Sequence, residues 1–238
     1  MKTVALSALL VLCTTAWAAP PTAAPGAGFV RLFDGKTFAG WKYPPEFEGH
    51  WIARDGVIRC DGRVPVKKGG ERNLWTEKQY GDFVLVAEWR LPGEPRMMPM
   101  NVFSPDGHIL RDENNQVVKR EIPNAGDSGI YVRGDAKAQV NIWCQPMGSG
   151  DINSYHKDES LPLEIRKACM PKLNADSPLG QWNRFEITMV ADRVSVVLNG
   201  QTVIDRAELP GVPERGPIAL QNHGDPVEFR NLWINELD

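Results

Sequence analysis

The chain has 238 residues, a formal net charge of -3 and 24% charged residues, with both signs interspersed. That balance lacks the basic footprint of a nucleic-acid binder, and no apolar run is long enough for a permanent membrane span. Nucleic acid and membrane insertion are set aside as partners.

Lys2, the apolar run Val4 to Leu12 and the small-x-small triplet Ala16, Trp17, Ala18 form a cleavable export signal over residues 1–18, cut after Ala18. Leu12 before Cys13 does not suit lipoprotein processing, so a periplasmic or secreted protein is expected. Residues 19–27, rich in Pro, Ala and Gly, read as a flexible tether. Residues 28–238, roughly 210 in number, are enough for one domain with its own core.

Strand-like segments recur along that domain, with turn signals between them. Phe29 to Phe33 leads into Asp34-Gly35, and Trp51 to Arg54 and Val57 to Asp61 flank Asp55-Gly56, a tight-hairpin signal. Leu74 to Thr76 and Asp82 to Arg90 follow; in the latter Glu88 lies opposite the face of Phe83, Leu85, Ala87 and Trp89. Leu91 to Gln116, with four prolines, reads as a long loop of the kind that rims a site.

Ser128 to Arg133 and Ala138 to Cys144 form a neighbouring pair, the second placing Gln139, Asn141 and Trp143 on one side. Met147 to Gly180 is irregular, with a short helical turn around Leu163 to Ala168. Trp182 to Val190, Arg193 to Leu198 and Thr202 to Asp205 make a meander through Ala191-Asp192 and Asn199-Gly200. Next, Ile218, Leu220 and Asn222 alternate with Ala219, Gln221 and His223 before a turn into the last strand, Val227 to Leu237. An all-β architecture follows.

Cys60, Cys144 and Cys169 remain after leader removal and match no zinc spacing. Buried apolar thiols are the first reading and a Cys144 to Cys169 bridge the second. No metal motif is present and no metal residues are assigned.

Six pieces occur in order: LFDGKTFAGWK (Leu32 to Lys42), YGDFVLVAEWRLP (Tyr80 to Pro92), DSGIYVRG (Asp127 to Gly134), GQWNRFEI (Gly180 to Ile187), VVLNGQTV (Val196 to Val203) and IALQNHG (Ile218 to Gly224). Together they resemble the 3-keto-disaccharide hydrolase domain family across nearly the whole domain. The resemblance implies a concanavalin A-like jelly roll, two curved antiparallel sheets with the site on a concave face. A structural Ca2+ on the sheet rim is compatible with that fold by analogy alone.

The resemblance further implies cleavage of 3-keto-glycosides by C2 deprotonation, elimination and hydration, with a functional link to a sugar 3-dehydrogenase. A C3 carbonyl acidifies the C2 proton, so a general base suffices where an ordinary glycosidase needs paired carboxylates. At two positions the chain departs from the family pattern: Gln139 stands where a Glu is common, and Asp127 where Asn is usual.

His223 is the leading acid/base candidate, its rival role being a cap on the turn at Gly224. Arg133, placed with Tyr131 by alternation, would clamp the ketone or enolate oxygen, or pair with Glu88 or Asp127. Glu88 is a base, a metal ligand or the ion-pair partner of Arg133. Gln221, Gln139, Asn141, Tyr131 and Asp127 are substrate-binding candidates, and Trp143 is a sugar-stacking platform. His156 approaches from its charged loop or is merely solvated. Trp41, Trp51, Trp89, Trp182 and Trp233 read as core. A non-catalytic carbohydrate-binding jelly-roll module is the competing function.

Overall fold

The computed structural model describes residues 24–65, 70–104 and 107–237, and the export signal expected at the N-terminus lies outside them. Strands β1 (Val30–Arg31), β2 (Trp41–Lys42), β3 (Trp51–Arg54), β4 (Val57–Cys60) and β5 (Leu74–Thr76) come first. The long β6 (Phe83–Arg90) precedes β7 (Arg96–Asn101), β8 (Lys119–Asn124), β9 (Asp127–Tyr131) and β10 (Gln139–Trp143). Two short helices, α1 (Asn153–His156) and α2 (Leu163–Ala168), then lead to β11 (Asn183–Val190), β12 (Arg193–Leu198) and β13 (Gln201–Glu208). The chain ends in β14 (Ala219–Leu220) and β15 (Val227–Glu236).

Two antiparallel sheets make the sandwich. The eight-stranded sheet runs β13-β12-β11-β6-β15-β4-β3, with β1 added along β15, and the five-stranded sheet runs β10-β9-β14-β5-β2. This is the all-β, concanavalin A-like jelly-roll architecture expected from the resemblance. Period-2 alternation builds the core: β6 turns Phe83, Leu85, Ala87 and Trp89 inward, against Phe185 and Ile187 of β11 and Phe229 and Ile234 of β15. From the opposite sheet come Leu74, Ile130, Val140, Ile142, Ile218 and Leu220. Burial of each large side chain contributes about 1.5–3 kcal/mol, so the alternating pattern alone specifies which face of each strand is inside.

The β3–β4 turn takes the form its sequence demands, with Asp55 at φ 52° and Gly56 at φ 78°. One expectation fails. Residues 91–116 are not loop throughout: β7 pairs with β8 in a separate two-stranded ribbon, Arg96 opposite Asn124 and Asn101 opposite Lys119. Neither face of this ribbon is fully buried, Met97 and Met98 being 62% and 43% exposed, so no apolar alternation marks it in the sequence. Pro99 and Pro123 are tolerated because such a ribbon has free edges.

Cys60, Cys144 and Cys169 are all buried free thiols, and the Cys144 to Cys169 bridge is not formed. Burial pushes the Cys60 and Cys169 thiols up to about 12, which keeps them protonated and inert. Trp41, Trp51 and Trp89 lie in the core and Trp233 is nearly buried. Trp182 does not join them: the Arg90 and Arg230 guanidiniums lie 4.7 and 4.0 Å from its ring centroid. The described residues contain no helix long and apolar enough to cross a membrane.

Candidate functional site

The face of the five-stranded sheet turned away from the core carries the polar residues, and strand register orders them in three rows. In the first, Trp75, Ala219, Tyr131 and Gln139 lie side by side across β5, β14, β9 and β10. The second holds Gln221, Gly129 and Asn141, the backbone N–H of Gln221 donating to the Gly129 carbonyl at 2.9 Å. In the third, Trp143 is directly opposite Asp127, with His223 beside them. Although β14 itself is only two residues long, its alternation persists through Gln221 to His223.

Hydrogen bonds tie the first two rows together. Gln139 Nε2 donates to Gln221 Oε1 at 2.6 Å, and Gln221 Nε2 donates to the Tyr131 hydroxyl at 2.8 Å. The Trp75 and Tyr131 rings stack with centroids 5.7 Å apart, and Trp75 Nε1 donates to Glu71 at 2.6 Å. The result is a platform of two rings edged by amides, a surface suited to the hydroxyls and apolar faces of a sugar. Gly129 makes it fit: a β-carbon there would lie 2.1 Å from Gln139 Nε2. Gly129→Ala is therefore expected to push Gln139 off Gln221, raising KM or a ligand Kd about five- to tenfold. Because the obstruction is the end of a flexible side chain, the thermal unfolding midpoint should move by only a few degrees, which a melting curve checks.

The third row holds the proton chemistry. Burial pushes the Asp127 carboxyl from its ordinary 3.8 up to about 6, against the opposing pull of His223 and with the help of the Asp225 and Asp151 charges. His223 Nδ1 lies 3.7 Å from Asp127 Oδ2, with the imidazole 54% exposed to solvent. The turn-capping role open to His223 belongs to its neighbour, since the Gly224 N–H donates to Asn222 Oδ1 at 3.0 Å. Asp225 positions Asp127 by accepting its backbone N–H at 3.1 Å.

Behind this row, Asp151 is joined to β10 through the Asn141 N–H, which donates to its carbonyl at 3.0 Å. Its carboxylate is wholly buried, 3.3 Å from the equally buried His156 Nδ1, and burial raises its pKa. The Lys157 ammonium lies 5.6 Å from the Trp143 ring centroid and within electrostatic reach of both Asp127 and Asp151.

Three sequence-derived assignments are corrected. Arg133 is not on the platform: its backbone turns to φ 52° just past the end of β9, breaking the alternation that would have set it beside Tyr131. Its buried guanidinium instead donates to the carbonyls of Gly81, Ala191 and Pro213 and to Asp82 Oδ1. Glu88 lies in the other sheet, on the face away from the core, where it accepts from Arg230 Nε at 2.7 Å. His156 is in neither of its foreseen settings, a substrate contact or a solvated loop, but sealed against Phe103 and Asp151.

Gln221, Gln139, Asn141, Tyr131, Asp127, Trp143 and His223 do share one face. The sequence reading missed Trp75, Asp151, Lys157 and Asp225. Alternation in Leu74 to Thr76 marks Trp75 as outward once Leu74 and Thr76 are inward. The other three sit in irregular segments, where no periodicity reveals direction. Among the described residues no group of three or more His, Cys, Asp or Glu side chains is placed to hold a metal ion.

Residues 28–235 match the family model described as a 3-keto-alpha-glucoside-1,2-lyase-like domain. A Bacteroides thetaiotaomicron protein named 3-keto-disaccharide hydrolase is 22% identical over 263 residues, covering 89% of this chain and 79% of its own length. A crystal structure of a candidate glycosyl hydrolase from Parabacteroides distasonis ATCC 8503 superposes with a TM-score of 0.56 at 20% identity. That alignment covers 89% of this chain and 94% of the other, and it shows a shared fold.

Proposed function

The chain belongs to the 3-keto-alpha-glucoside-1,2-lyase-like domain family, and from that premise we propose a carbohydrate-active enzyme that cleaves glycosides already oxidised to a ketone at C3. The observation that carries the reading is Asp127, a carboxyl whose pKa is raised to about 6, beside His223 on a face otherwise built largely of amides and aromatic rings. A base poised near the working pH is what removal of an acidified C–H requires, and burial strengthens the carboxylate for it.

Asp127 takes the C2 proton. The C2–H electron pair delocalises into the C3 carbonyl as an enolate, and the oxygen's negative charge develops within the field of Lys157, the cation that stands here in place of Arg133. Collapse of the enolate forms the C1–C2 double bond and expels the aglycone oxygen, which accepts a proton from His223. Water then adds across that double bond, its oxygen to C1 and a proton to C2, so the net outcome is hydrolysis. Gln139, Gln221, Asn141 and Tyr131 orient the ring through its hydroxyls, while Trp75 and Trp143 supply apolar faces.

Aglycone release from a 3-keto glucoside and from its unoxidised parent tests this directly. Turnover of the keto form alone is expected, with His223→Ala lowering it about a hundredfold. Release from neither form would make the protein a binding module, and release from both an ordinary glycosidase.

A further inference from the structure

A cavity of about 500 Å³ opens on the far side of Trp143. Arg120, Ile122 and Pro123 of β8 wall it on one side, the turn after β10 on another, and residues 174–181 close it. Its size falls within the range of small-molecule sites, about 300–1,000 Å³. Trp143 belongs both to this wall and to the row of Asp127 and His223, so the cavity adjoins the reacting end of the platform. We propose that it is a subsite for an aromatic aglycone, the leaving group attached to C1. The assignment rests on the reaction proposed above and adds the class of leaving group.

The lining favours an aryl ring over a second sugar. Trp89 and Trp143 offer indole surfaces, and Leu91, Ile122 and Leu179 add aliphatic ones. A sugar needs a partner for nearly every hydroxyl, but most polar groups here are already committed. The Ser149 N–H donates to Asp176 and its hydroxyl to the Trp143 carbonyl, while Asn183 Oδ1 accepts from Ser177 and Asn199. What remains is the side chains of Arg120, Gln145, Asn174 and Gln181, set against a larger apolar wall of Trp89, Leu91, Ile122, Pro123, Trp143 and Leu179. A flat apolar ring with one or two hydroxyls matches that supply better than a polyol does.

Leu179, 40% exposed at the cavity, and Ile122 can each be replaced by arginine to fill the space. The readout is the ratio of kcat/KM for 3-keto 4-nitrophenyl glucoside to that for 3-keto methyl glucoside, compared between variant and wild type so that leaving-group acidity cancels. A fall of at least tenfold in both variants is expected, and a smaller change overturns the subsite. An equal fall for a 3-keto disaccharide would overturn the aromatic assignment in favour of a sugar. In parallel, phenyl glucoside with its C3 hydroxyl intact is titrated against tryptophan emission, which Trp89 and Trp143 report. Saturable quenching that Leu179→Arg abolishes supports the subsite even if no keto glycoside is cleaved, so failure of the reaction and failure of the subsite read out separately. Quenching that survives in Leu179→Arg counts against it.

Discussion

Asp127→Asn should lower kcat/KM for a 3-keto glucoside by about 10²–10⁴, the range contributed by a positioned general base, while leaving the fold intact. Asparagine fills nearly the same space and still lets the backbone N–H of residue 127 donate to Asp225, so the turn at 222–225 keeps its support. What disappears is the basic oxygen.

The pH dependence carries the sharper signature. In the wild type kcat/KM should rise with pH through a midpoint near 6, where the carboxyl loses its proton, and the Asn variant should lack that limb. The sign for stability is the reverse. A carboxyl at about 6 in the fold and 3.8 when unfolded holds its proton more tightly in the fold. The stability it contributes is therefore full below about pH 3.8 and is lost as pH rises through 6. Wild type should thus gain activity and lose a little stability over the same interval, a crossing that neither a purely structural carboxylate nor a solvent-exposed one produces. A kcat/KM profile unchanged by Asp127→Asn would remove Asp127 as the base.

The second large effect belongs to Arg133. Arg133→Met is expected to cost about 3 kcal/mol, because a buried guanidinium that serves three carbonyls and Asp82 leaves those acceptors unpaired when it goes. The figure is held below that of a fully sealed ion pair because the Asp82 side chain is 37% exposed and can be rehydrated. For a domain of this size the unfolding midpoint should drop by roughly 6–12 °C. Arg133→Lys should recover only part of the loss, since one ammonium cannot reach carbonyls contributed by three separate segments. Turnover per folded molecule should stay near wild type. A variant with normal stability and a collapse in turnover would instead return Arg133 to the chemistry.

The contrast between these residues shows where a sequence informs about structure. Period-2 alternation is dependable inside a strand with one face in the core, and it placed Gln139, Asn141 and Trp143 together, and Gln221 with His223. It fails two residues beyond the end of β9, where a positive φ redirected Arg133. Alternation also cannot say which sheet a strand joins: Glu88 lies on the outward face its position in β6 predicts, but of the sheet that does not carry the platform. The burial of Asp151 and His156 was unreadable because it depends on how an irregular segment folds over the end of β10, a long-range event without a local signal.

The β7–β8 ribbon has one last implication. It belongs to neither sheet, so insertions and substitutions there disturb no rung of the sandwich, yet β8 supplies a wall of the cavity beside Trp143. Trp143 is fixed within β10, opposite Asp127. The molecule thus separates a part free to drift from a part that is not: changes in the ribbon can reshape the cavity wall while the strand pairing that sets Trp143 opposite Asp127 is left as it is.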